Sequence, residues 1–438
     1  MCGIYFSTLN ETVSNDSKFL SRGPDKFNQL KIDNLCMEHS LLSLTGEFTP
    51  QPVLKKEVFL MFNGQIYNYD SDNYLSDSYF ILDKYLEDSN NFFNSIDGEY
   101  SIVIYDKKKQ IVTFLTDIFG TKPLYFVHEN NELIVSSLRS SLEQNSHTNF
   151  SKCMPNTIYK FDLKSQKLSI QEEYFKFNTN QFKTNLDDWN ELFIKSISKR
   201  FGNLNHEIIL PLSSGHDSGA IACALDILNI NYYSISIFNN EHRKVLIKRL
   251  LKRLIKSPNM TKFKFKLDHS TKENAKKYLI ENCDNFFYGP DIHNLNIDGK
   301  NDPGAVGLTY ILDRAKKNNS NTKIVASGQG GDEIYSNNQS YTFDKPNPDY
   351  FTDNLNDQFP WQNFYYGSQI SYLSKEESIG GSFGIETRYP YLDKSLVQEY
   401  LNLLPEIKNK EYKSPITNFL KVNKYPYRNE NYKTGFNP

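Results

Sequence analysis

The chain has 438 residues, of which 38% are hydrophobic, 14% aromatic and 23% charged, and its formal net charge is −2. This length predicts two or three domains, and the high aromatic content excludes an intrinsically disordered chain. The near-neutral charge gives no sign of a polyanion-binding protein, so we expect no nucleic-acid partner. No run of about 18 apolar residues predicts a transmembrane helix, and the residues after Met1 do not form a secretory signal.

The cysteines are scattered and form neither a CxxC pair nor a cluster with zinc-ligand spacing. They are Cys2, Cys36, Cys153, Cys223 and Cys283. We therefore expect a reduced, cytoplasmic protein without a structural metal and without a membrane partner.

Short β-rich runs separated by turn residues characterise the first part of the chain, at 58–62, 100–105, 111–115, 124–127 and 133–136. A helical pattern at 78–87 interrupts them. This combination predicts an α+β domain over 1–175 with a mostly antiparallel sheet. The polar segment 176–187 that follows is predicted to be a linker.

From residue 186 onwards, helical patterns alternate with strand patterns, the latter at 207–212, 232–238, 263–267 and 323–326. This alternation is typical of a parallel sheet with helices on both faces, and such sheets bind ligands at the carboxyl ends of their strands. The basic amphipathic segment 243–256 could contact RNA, a membrane or a protein partner. We favour the alternative that it packs its aliphatic face on the sheet with its cations outward.

Two glycine-rich loops follow predicted strands, at 213–219 (SSGHDSG) and 327–333 (SGQGGDE). Small residues let the backbone approach a ligand, and the amides at a helix N-terminus favour an anion. Asp217 could hold a divalent cation that bridges phosphates. The first loop could equally be an ordinary strand-to-helix turn with Asp217 and Ser218 as caps. Together, the two loops could hold one nucleotide from both sides.

Cys2 is notable for its position. Removal of Met1 would make Cys2 the N-terminal residue, with an α-amine pKa of about 7.7–8.0. A neutral amine beside a thiol can act as its general base, so one residue would supply both nucleophile and base. The alternative is a small buried hydrophobic residue near a chain end.

Motifs in a consistent order carry a resemblance to a known family. In the first half they are 1–4 (MCGI), 22–25 (RGPD), 62–68 (FNGQIYN), 76–77 (SD), 97–98 (DG) and 117–125 (DIFGTKPLY). In the second half they are 212–218 (LSSGHDS), 327–333 (SGQGGDE), 384–393 (GIETRYPYLD) and Lys413. Over nearly its whole length the chain resembles the glutamine-dependent asparagine synthetases.

For residues 1–175 the resemblance implies a class II glutamine amidotransferase domain with an Ntn-type αββα sandwich. Cys2 would attack the side-chain amide of glutamine and release ammonia, and Asn63 and Gly64 would form the oxyanion hole. Asp77 would hold the α-ammonium group of the substrate. The implied glutamine-binding residues are Leu41, Leu42, Ser43, Leu44, Thr45, Asn63, Gly64, Gln65 and Asp77.

For residues 186–438 the resemblance implies a PP-loop ATP-pyrophosphatase domain that activates a carboxylate as an acyl-adenylate. Ammonia from the first domain would then displace AMP and give an amide. ATP and Mg²⁺ are the implied cofactors, with Asp217 and Asp332 serving Mg²⁺ and Gln329 in the catalytic set. The implied ATP-binding residues are Leu212, Ser213, Ser214, Gly215, Asp217, Ser218, Ile237, Ser327, Gly328 and Lys413.

Two departures from the family pattern leave the substrates open. Leu41 replaces an arginine that binds the glutamine carboxylate, so glutamine and free ammonia remain alternatives as the nitrogen donor. Gln329 replaces the glutamate of the aspartate-using enzymes, and a glutamine side chain cannot act as a base.

We favour asparagine synthesis from aspartate over two alternatives. One is amidation or cyclisation of a different carboxylate (a sugar acid, a peptide or a metabolite), and the other is a non-catalytic binding protein. The oligomeric state stays open, with a homodimer among the alternatives.

Overall fold

The computed structural model describes residues 1–289, 297–336 and 347–428, which form two compact units. Unit 1 contains Met1–Lys176, Asn282–Asn285 and Glu376–Glu386. Unit 2 contains Phe177–Glu281, Phe286–Lys375 and Thr387–Pro438. Among the described helices, none is long and apolar enough to cross a membrane.

Unit 1 is built on two six-stranded sheets in which paired strands run antiparallel. Its strands are β1 (Gly3–Ser7), β2 (Lys26–Ile32), β3 (Leu35–Leu41), β4 (Val53–Lys55), β5 (Val58–Ile66), β6 (Gly98–Asp106), β7 (Ile111–Thr116), β8 (Tyr125–Glu129), β9 (Glu132–Ser136), β10 (Ser151–Lys152), β11 (Thr157–Asp162) and β12 (Lys167–Glu172). The first sheet has the order β10-β8-β9-β1-β3-β2 and the second β12-β11-β7-β6-β5-β4. The predicted antiparallel α+β architecture is confirmed.

Strand β5 shows how the layers of unit 1 are held together. Phe59 and Met61 lie in the apolar core shared by the two sheets, whereas Leu60 and Phe62 face a core formed with helix α2 (Asp77–Glu87). Successive side chains of a strand point to opposite faces, so a strand that is covered on both faces is apolar at nearly every position. Helices α1 (Ser17–Arg22) and α3 (Arg139–Gln144) contribute to a third core with the first sheet. The layers are therefore helix, sheet, sheet and helix.

Unit 2 is organised around a five-stranded sheet with the order β15-β14-β13-β18-β19. Strands β16 and β17 form a separate two-stranded sheet. The strands are β13 (Glu207–Pro211), β14 (Tyr233–Ile237), β15 (Thr261–Lys264), β16 (Phe287–Tyr288), β17 (Ile297–Asp298), β18 (Thr322–Ala326) and β19 (Glu386–Arg388). Strand β13 runs parallel to both β14 and β18, and β14 runs parallel to β15, which confirms the predicted parallel sheet.

The described helices of the second half connect these strands or follow them. They are α4 (Asp187–Phe201), α5 (His216–Ile227), α6 (Arg243–Lys256), α7 (His269–Asn282), α8 (Pro303–Asn318), α9 (Gly331–Tyr335), α10 (Gln362–Tyr365), α11 (Gly367–Ser382), α12 (Lys394–Asn402), α13 (Pro405–Lys408) and α14 (Ser414–Val422).

Helix α6 corrects one expectation from the sequence. Val245, Leu246 and Leu250 are buried, as expected for a helix that packs against the protein. However, the guanidinium groups of Arg249 and Arg253 are buried as well, with 0% and 1% exposure. The expectation that all the cations of this helix point outward is therefore wrong, because backbone carbonyl groups inside unit 2 bind these two arginines.

Candidate active sites

Cys2 lies directly before β1, beside a pocket in unit 1. The pairing of β1 with β3 brings it close to the residues that follow β3. The Cys2 amide donates a hydrogen bond to Asn63 Oδ1 at 2.8 Å, and the Leu42 amide donates to Cys2 Sγ at 3.4 Å. Cys2 is only 7% exposed, so its thiol is largely shielded from bulk water.

Asn63 and Gly64 are consecutive residues of β5 next to Cys2. The buried Nδ2 group of Asn63 has no hydrogen-bond partner among the residues that the structure describes. Gly64 has a φ of 133°, and a Cβ atom there would lie 1.9 Å from the carbonyl oxygen of Glu99, so only glycine fits. A free, buried amide donor beside a thiol can stabilise the oxyanion of a tetrahedral intermediate.

A small pocket opens beside Cys2. It is lined by Cys2, Leu41, Leu42, Ser43, Leu44, Thr45, Glu47, Thr49, Gln51, Phe62, Gly64, Gln65, Ser76, Asp77, Ser78 and Glu386. Every predicted glutamine-binding residue except Asn63 is in this set, and Asn63 reaches Cys2 directly. The predicted residues are thus brought together around one pocket, although their individual roles remain predictions.

Asp77 is the first residue of α2, and its carboxylate lies at the amino end of that helix. Its Oδ2 accepts hydrogen bonds from the Ile66 amide and from Gln65 Nε2, both at 3.3 Å. A helix N-terminus favours a negatively charged side chain, and Asp77 lies in the first turn of α2. A buried carboxylate that faces a pocket can bind the ammonium group of a ligand.

The protonation state of the Cys2 site follows from its burial. Burial raises the pKa of the Cys2 thiol to about 11, and burial lowers the pKa of the Met1 amino group to about 5. The thiol is therefore protonated at neutral pH while Met1 is in place. A nucleophilic Cys2 therefore needs a general base, a role predicted for its own α-amine once Met1 is removed.

A buried ionic cluster in unit 1 holds the backbone of Cys2. Arg22 Nε donates to the Cys2 carbonyl oxygen at 3.1 Å, and the Arg22 guanidinium lies 3.9 Å from the Glu377 carboxylate. Lys122 Nζ lies 2.8 Å from the same carboxylate. Arg22 and Lys122 both belong to sequence motifs that signalled the family resemblance, but no sequence signal identified Glu377. Through the hydrogen bond from Arg22, this cluster holds the backbone of Cys2 in position.

In unit 2 the loop 213–219 connects β13 to α5. Ser213 Oγ and Ser218 Oγ lie 2.8 Å apart, and the Ser213 amide donates to Ser218 Oγ at 3.1 Å. The carboxylate of Glu241 accepts hydrogen bonds from the amide and hydroxyl of Ser214, and burial raises the pKa of Glu241. Glu241 was not predicted from the sequence, and it occupies donors that were expected to bind phosphate.

The buried Arg249 of α6 binds backbone carbonyl groups of the same loop. Its Nη1 donates to the carbonyl oxygens of Ser213 at 2.6 Å and Gly215 at 2.8 Å. A Cβ atom on Gly219 would lie 2.2 Å from the guanidinium, so glycine is needed to let Arg249 approach. The alternation of basic and apolar residues in 243–256 did not show which cation would be buried.

The second loop, 327–333, follows β18 and meets the first loop at Asp217. A Cβ atom on Gly331 would lie 2.4 Å from Asp217 Oδ1, and one on Gly328 would lie 3.0 Å from Asp217 Cβ. The Gln329 amide donates to Ser327 Oγ at 3.0 Å, whereas the buried Gln329 Nε2 has no partner within the described part of the chain. The predicted approach of the two loops is therefore present in the structure.

Leu212 and Ile237 lie at the carboxyl ends of neighbouring strands. The Leu212 amide donates to the Ile235 carbonyl oxygen at 3.1 Å, and Leu212 and Ile237 are both buried. Their expected contact with the adenylate remains a prediction.

Lys413 joins the aspartates of the two loops. Its Nζ lies 2.6 Å from Asp217 Oδ2 and 2.8 Å from Asp332 Oδ1, and the Tyr412 hydroxyl donates to Asp332 Oδ1 at 3.0 Å. Burial opposes the charge of Lys413, but the two carboxylates outweigh it and raise the pKa of Lys413 above its usual range. An ammonium group between two carboxylates is thus positioned where the two loops meet.

The same two aspartates are the only protein ligands predicted for Mg²⁺. In the described residues, no group of three or more histidine, cysteine, aspartate or glutamate side chains could form a metal site. Two carboxylates are nevertheless enough for Mg²⁺, which is usually held by one or two of them together with substrate phosphates. The donor types therefore fit Mg²⁺ bound with a nucleotide, and Mg²⁺ would share both carboxylates with Lys413.

Comparisons with known proteins show which proteins the chain is similar to. Residues 1–190 match the model of a glutamine amidotransferase domain. A candidate asparagine synthetase (glutamine-hydrolyzing) of Methanocaldococcus jannaschii is 25% identical over 423 residues, which cover 87% of this chain and 71% of the relative. Asparagine synthetase (glutamine-hydrolyzing) 2 of Bacillus subtilis is 24% identical over 86% of this chain and 62% of the relative.

A further relative matches at higher identity over a shorter region. Asparagine synthetase B (glutamine-hydrolyzing) of Escherichia coli is 30% identical over 217 residues, which cover 44% of this chain and 38% of the relative. The chain thus spans less than two thirds of the Bacillus and Escherichia relatives.

Proposed function

Because the chain belongs to the glutamine-dependent asparagine synthetase family, we propose that it is a glutamine-hydrolysing, ATP-dependent amide synthetase. We propose residues 1–175, an Ntn-type αββα sandwich, as the glutaminase domain and residues 186–438 as a PP-loop synthetase domain. The observation that carries the proposal is the hydrogen bond between the Cys2 amide and Asn63 Oδ1, which brings Asn63 next to Cys2, while the buried Asn63 Nδ2 has no partner among the described residues.

The glutaminase half-reaction uses Cys2 as nucleophile. After removal of Met1, the neutral α-amine of Cys2 accepts the thiol proton, and Sγ attacks the carboxamide carbon of the donor. Asn63 Nδ2 and the Gly64 amide stabilise the oxyanion, each contributing roughly 3–4 kcal/mol in the transition state. The amine returns the proton to the leaving nitrogen, ammonia departs, and water hydrolyses the thioester to a carboxylate. Asp77 orients the donor through its α-ammonium group.

The synthetase half-reaction uses the two loops of unit 2. Donors of the 213–219 loop bind the pyrophosphate portion of ATP, and the Ser214 amide and hydroxyl can take part only after Glu241 releases them. Leu212, Ile237, Ser327 and Gly328 surround the adenylate. The acceptor carboxylate attacks the α-phosphorus, pyrophosphate leaves, and ammonia then displaces AMP to give the amide. Lys413 offsets negative charge on the phosphates. When bound, Mg²⁺ would be held by Asp217 and Asp332 and would neutralise phosphate charge.

Aspartate is the proposed acceptor, and asparagine is the proposed product. The names of the relatives support this choice, whereas Gln329 favours an alternative in which a different carboxylate is amidated or cyclised. Gln329 can donate and accept hydrogen bonds but cannot take a proton. The third alternative is that the chain is a non-catalytic binding protein, in which case we expect no pyrophosphate release at all.

The decisive experiment measures ATP–pyrophosphate exchange with a set of carboxylates, together with glutamine hydrolysis by wild type and Cys2→Ala. We expect exchange with aspartate, and we expect Cys2→Ala to lose glutamine hydrolysis while it keeps synthesis from free ammonia. Cys2→Ala that hydrolyses glutamine as fast as wild type would contradict the assignment of the nucleophile. Exchange with another acid and none with aspartate would show that the other acid is the acceptor. No exchange with any acid would favour a non-catalytic binding protein.

A further inference from the structure

The two hydrogen-bond donors of Ser214, in the 213–219 loop, both point at one carboxylate. Glu241, which lies between β14 and α6, accepts a hydrogen bond from the Ser214 amide at 2.5 Å and a second from the Ser214 hydroxyl, both through Oε2. The Ser214 hydroxyl itself accepts a hydrogen bond from the His242 amide at 2.9 Å. Ser214 is only 5% exposed, so these contacts take the place of water. A single carboxylate oxygen therefore occupies both donors of this residue.

The neighbouring amides of the loop have different acceptors. The Ser213 amide donates to Ser218 Oγ at 3.1 Å, and the Gly215 amide donates to Ser213 Oγ at 3.1 Å. Both acceptors are neutral hydroxyl groups of the loop itself. Hydrogen bonds to a charged acceptor are stronger than those to a neutral one. Of these three consecutive amides, that of Ser214 is thus the one held most strongly, and it is held by a residue outside the loop.

A carboxylate and a phosphate compete for such donors because both offer negatively charged oxygens. A phosphate oxygen that took the Ser214 donors would have to displace Glu241, and a carboxylate that stayed in place would repel the phosphate. Glu241 is half-buried, so its side chain can turn towards solvent. The loop would keep its support, since Arg249 binds the Ser213 and Gly215 carbonyl groups independently of Glu241.

We infer that Glu241 is an autoinhibitory residue of the 213–219 loop, whose carboxylate competes with phosphate for the amide and hydroxyl of Ser214. This inference rests on the proposed function, because it describes the regulation of the loop that is proposed to bind the pyrophosphate portion of ATP. Binding exchanges one hydrogen-bond acceptor for another at Ser214, and no covalent bond changes. The affinity of the loop for phosphate is therefore lower than its donors would give without Glu241.

The test measures the affinity of the full-length protein for pyrophosphate, in the presence of Mg²⁺, by isothermal titration calorimetry. Glu241→Gln keeps the size of the side chain but removes its charge, so two charge-assisted hydrogen bonds become weaker neutral ones. We expect the Kd for pyrophosphate to fall about tenfold. KM for ATP in ATP–pyrophosphate exchange should fall in parallel. Glu241→Ala, which removes the acceptor altogether, is the second variant and should shift both quantities in the same direction.

Glu273→Gln is the matched control, because Glu273 is exposed on α7 and its substitution removes the same charge. It should leave the Kd for pyrophosphate unchanged. Folded Glu241 variants that bind pyrophosphate no more tightly than wild type would overturn the inference, since Glu241 would then only support the loop. Exchange activity of wild type would in that case leave the proposed function standing. Neither pyrophosphate binding nor exchange by any of these proteins would overturn both.

Discussion

The amide nitrogen of Cys2 lies 2.8 Å from Asn63 Oδ1, and this contact determines which way the Asn63 amide points. Because Oδ1 accepts this hydrogen bond, Nδ2 must project to the other side, where it is buried without a partner among the described residues. An unsatisfied buried donor costs about 1–3 kcal/mol. A developing oxyanion would accept a hydrogen bond from Nδ2, so this donor would stabilise the transition state more than the resting protein.

Asn63→Ala should therefore reduce catalysis more than binding. We expect kcat for donor hydrolysis to fall by about 10²–10³-fold, with KM changed little, because the lost hydrogen bond forms fully only in the transition state. ATP–pyrophosphate exchange should be unchanged. Asn94→Ala is the control, since Asn94 is exposed in unit 1. Equal kcat values for Asn63→Ala and wild type would exclude Asn63 from the oxyanion hole.

The burial of His39 predicts that the stability of unit 1 depends on pH. Burial lowers the pKa of His39 to about 4, and Nε2 lies 3.1 Å from the Phe62 carbonyl oxygen while Nδ1 has no partner among the described residues. The neutral ring fits this site, and a second proton would have no acceptor. In the unfolded chain His39 has a pKa of about 6.5, so stability is complete above that pH and decreases as the pH falls.

Between pH 7 and pH 5, wild type should lose about 2 kcal/mol more unfolding free energy than His39→Gln, which cannot titrate. Urea unfolding at the two pH values measures this difference. The comparison with His39→Gln cancels the contributions of other titrating groups, including His216, whose pKa burial also lowers. Parallel losses in the two proteins would show that His39 is protonated as easily in the folded state as in the unfolded one.

Arg249 should act on nucleotide binding through the loop that it holds. Arg249→Met removes charge-assisted hydrogen bonds to the Ser213 and Gly215 carbonyl groups. Each such bond is worth about 1.5–3 kcal/mol, so we expect KM for ATP in pyrophosphate exchange to rise about tenfold or more. Donor hydrolysis by unit 1 should be unaffected.

Lys248→Met on the exposed face of α6 is the matched control for Arg249 and should leave KM for ATP unchanged. Arg249→Lys should restore little, because one ammonium group cannot replace the separate Nε and Nη1 donors that bind the Pro426 carbonyl and the loop carbonyls. A lower melting temperature for Arg249→Met with an unaltered KM would mean that Arg249 supports only the fold.

Substitution of Gln329 should distinguish aspartate from other acceptor carboxylates. If aspartate is the substrate, Gln329→Glu should increase asparagine formation from aspartate, ATP and ammonia, because it introduces a group that can take a proton. Gln329→Asn, which stays neutral, should not. Two results would show a different acceptor. One is a loss of activity in Gln329→Glu, because the substitution buries an unpaired charge. The other is no asparagine from either protein together with pyrophosphate release on another acid.

Local patterns in the sequence determined much of this architecture. The alternation of strands and helices predicted the parallel sheet of unit 2, and the loops 213–219 and 327–333 were located from their glycines and serines because a tight strand-to-helix turn needs those residues locally. Cys2, Asn63 and Gly64 were recognised from motifs a few residues long. The sequence did not indicate strands such as β2 (KFNQLKI) and β12 (KLSIQE), whose polar residues reflect partial exposure.

Only the tertiary structure decided which distant residues meet. Glu377 pairs with Lys122 and Arg22 across more than 250 positions of sequence, Glu241 binds Ser214, and Lys413 joins Asp217 to Asp332. The burial of Arg249 and the set of residues that line the Cys2 pocket are likewise results of packing. Charge and burial at such positions depend on neighbours brought together by the fold, and a pattern of adjacent residues contains no information about those neighbours.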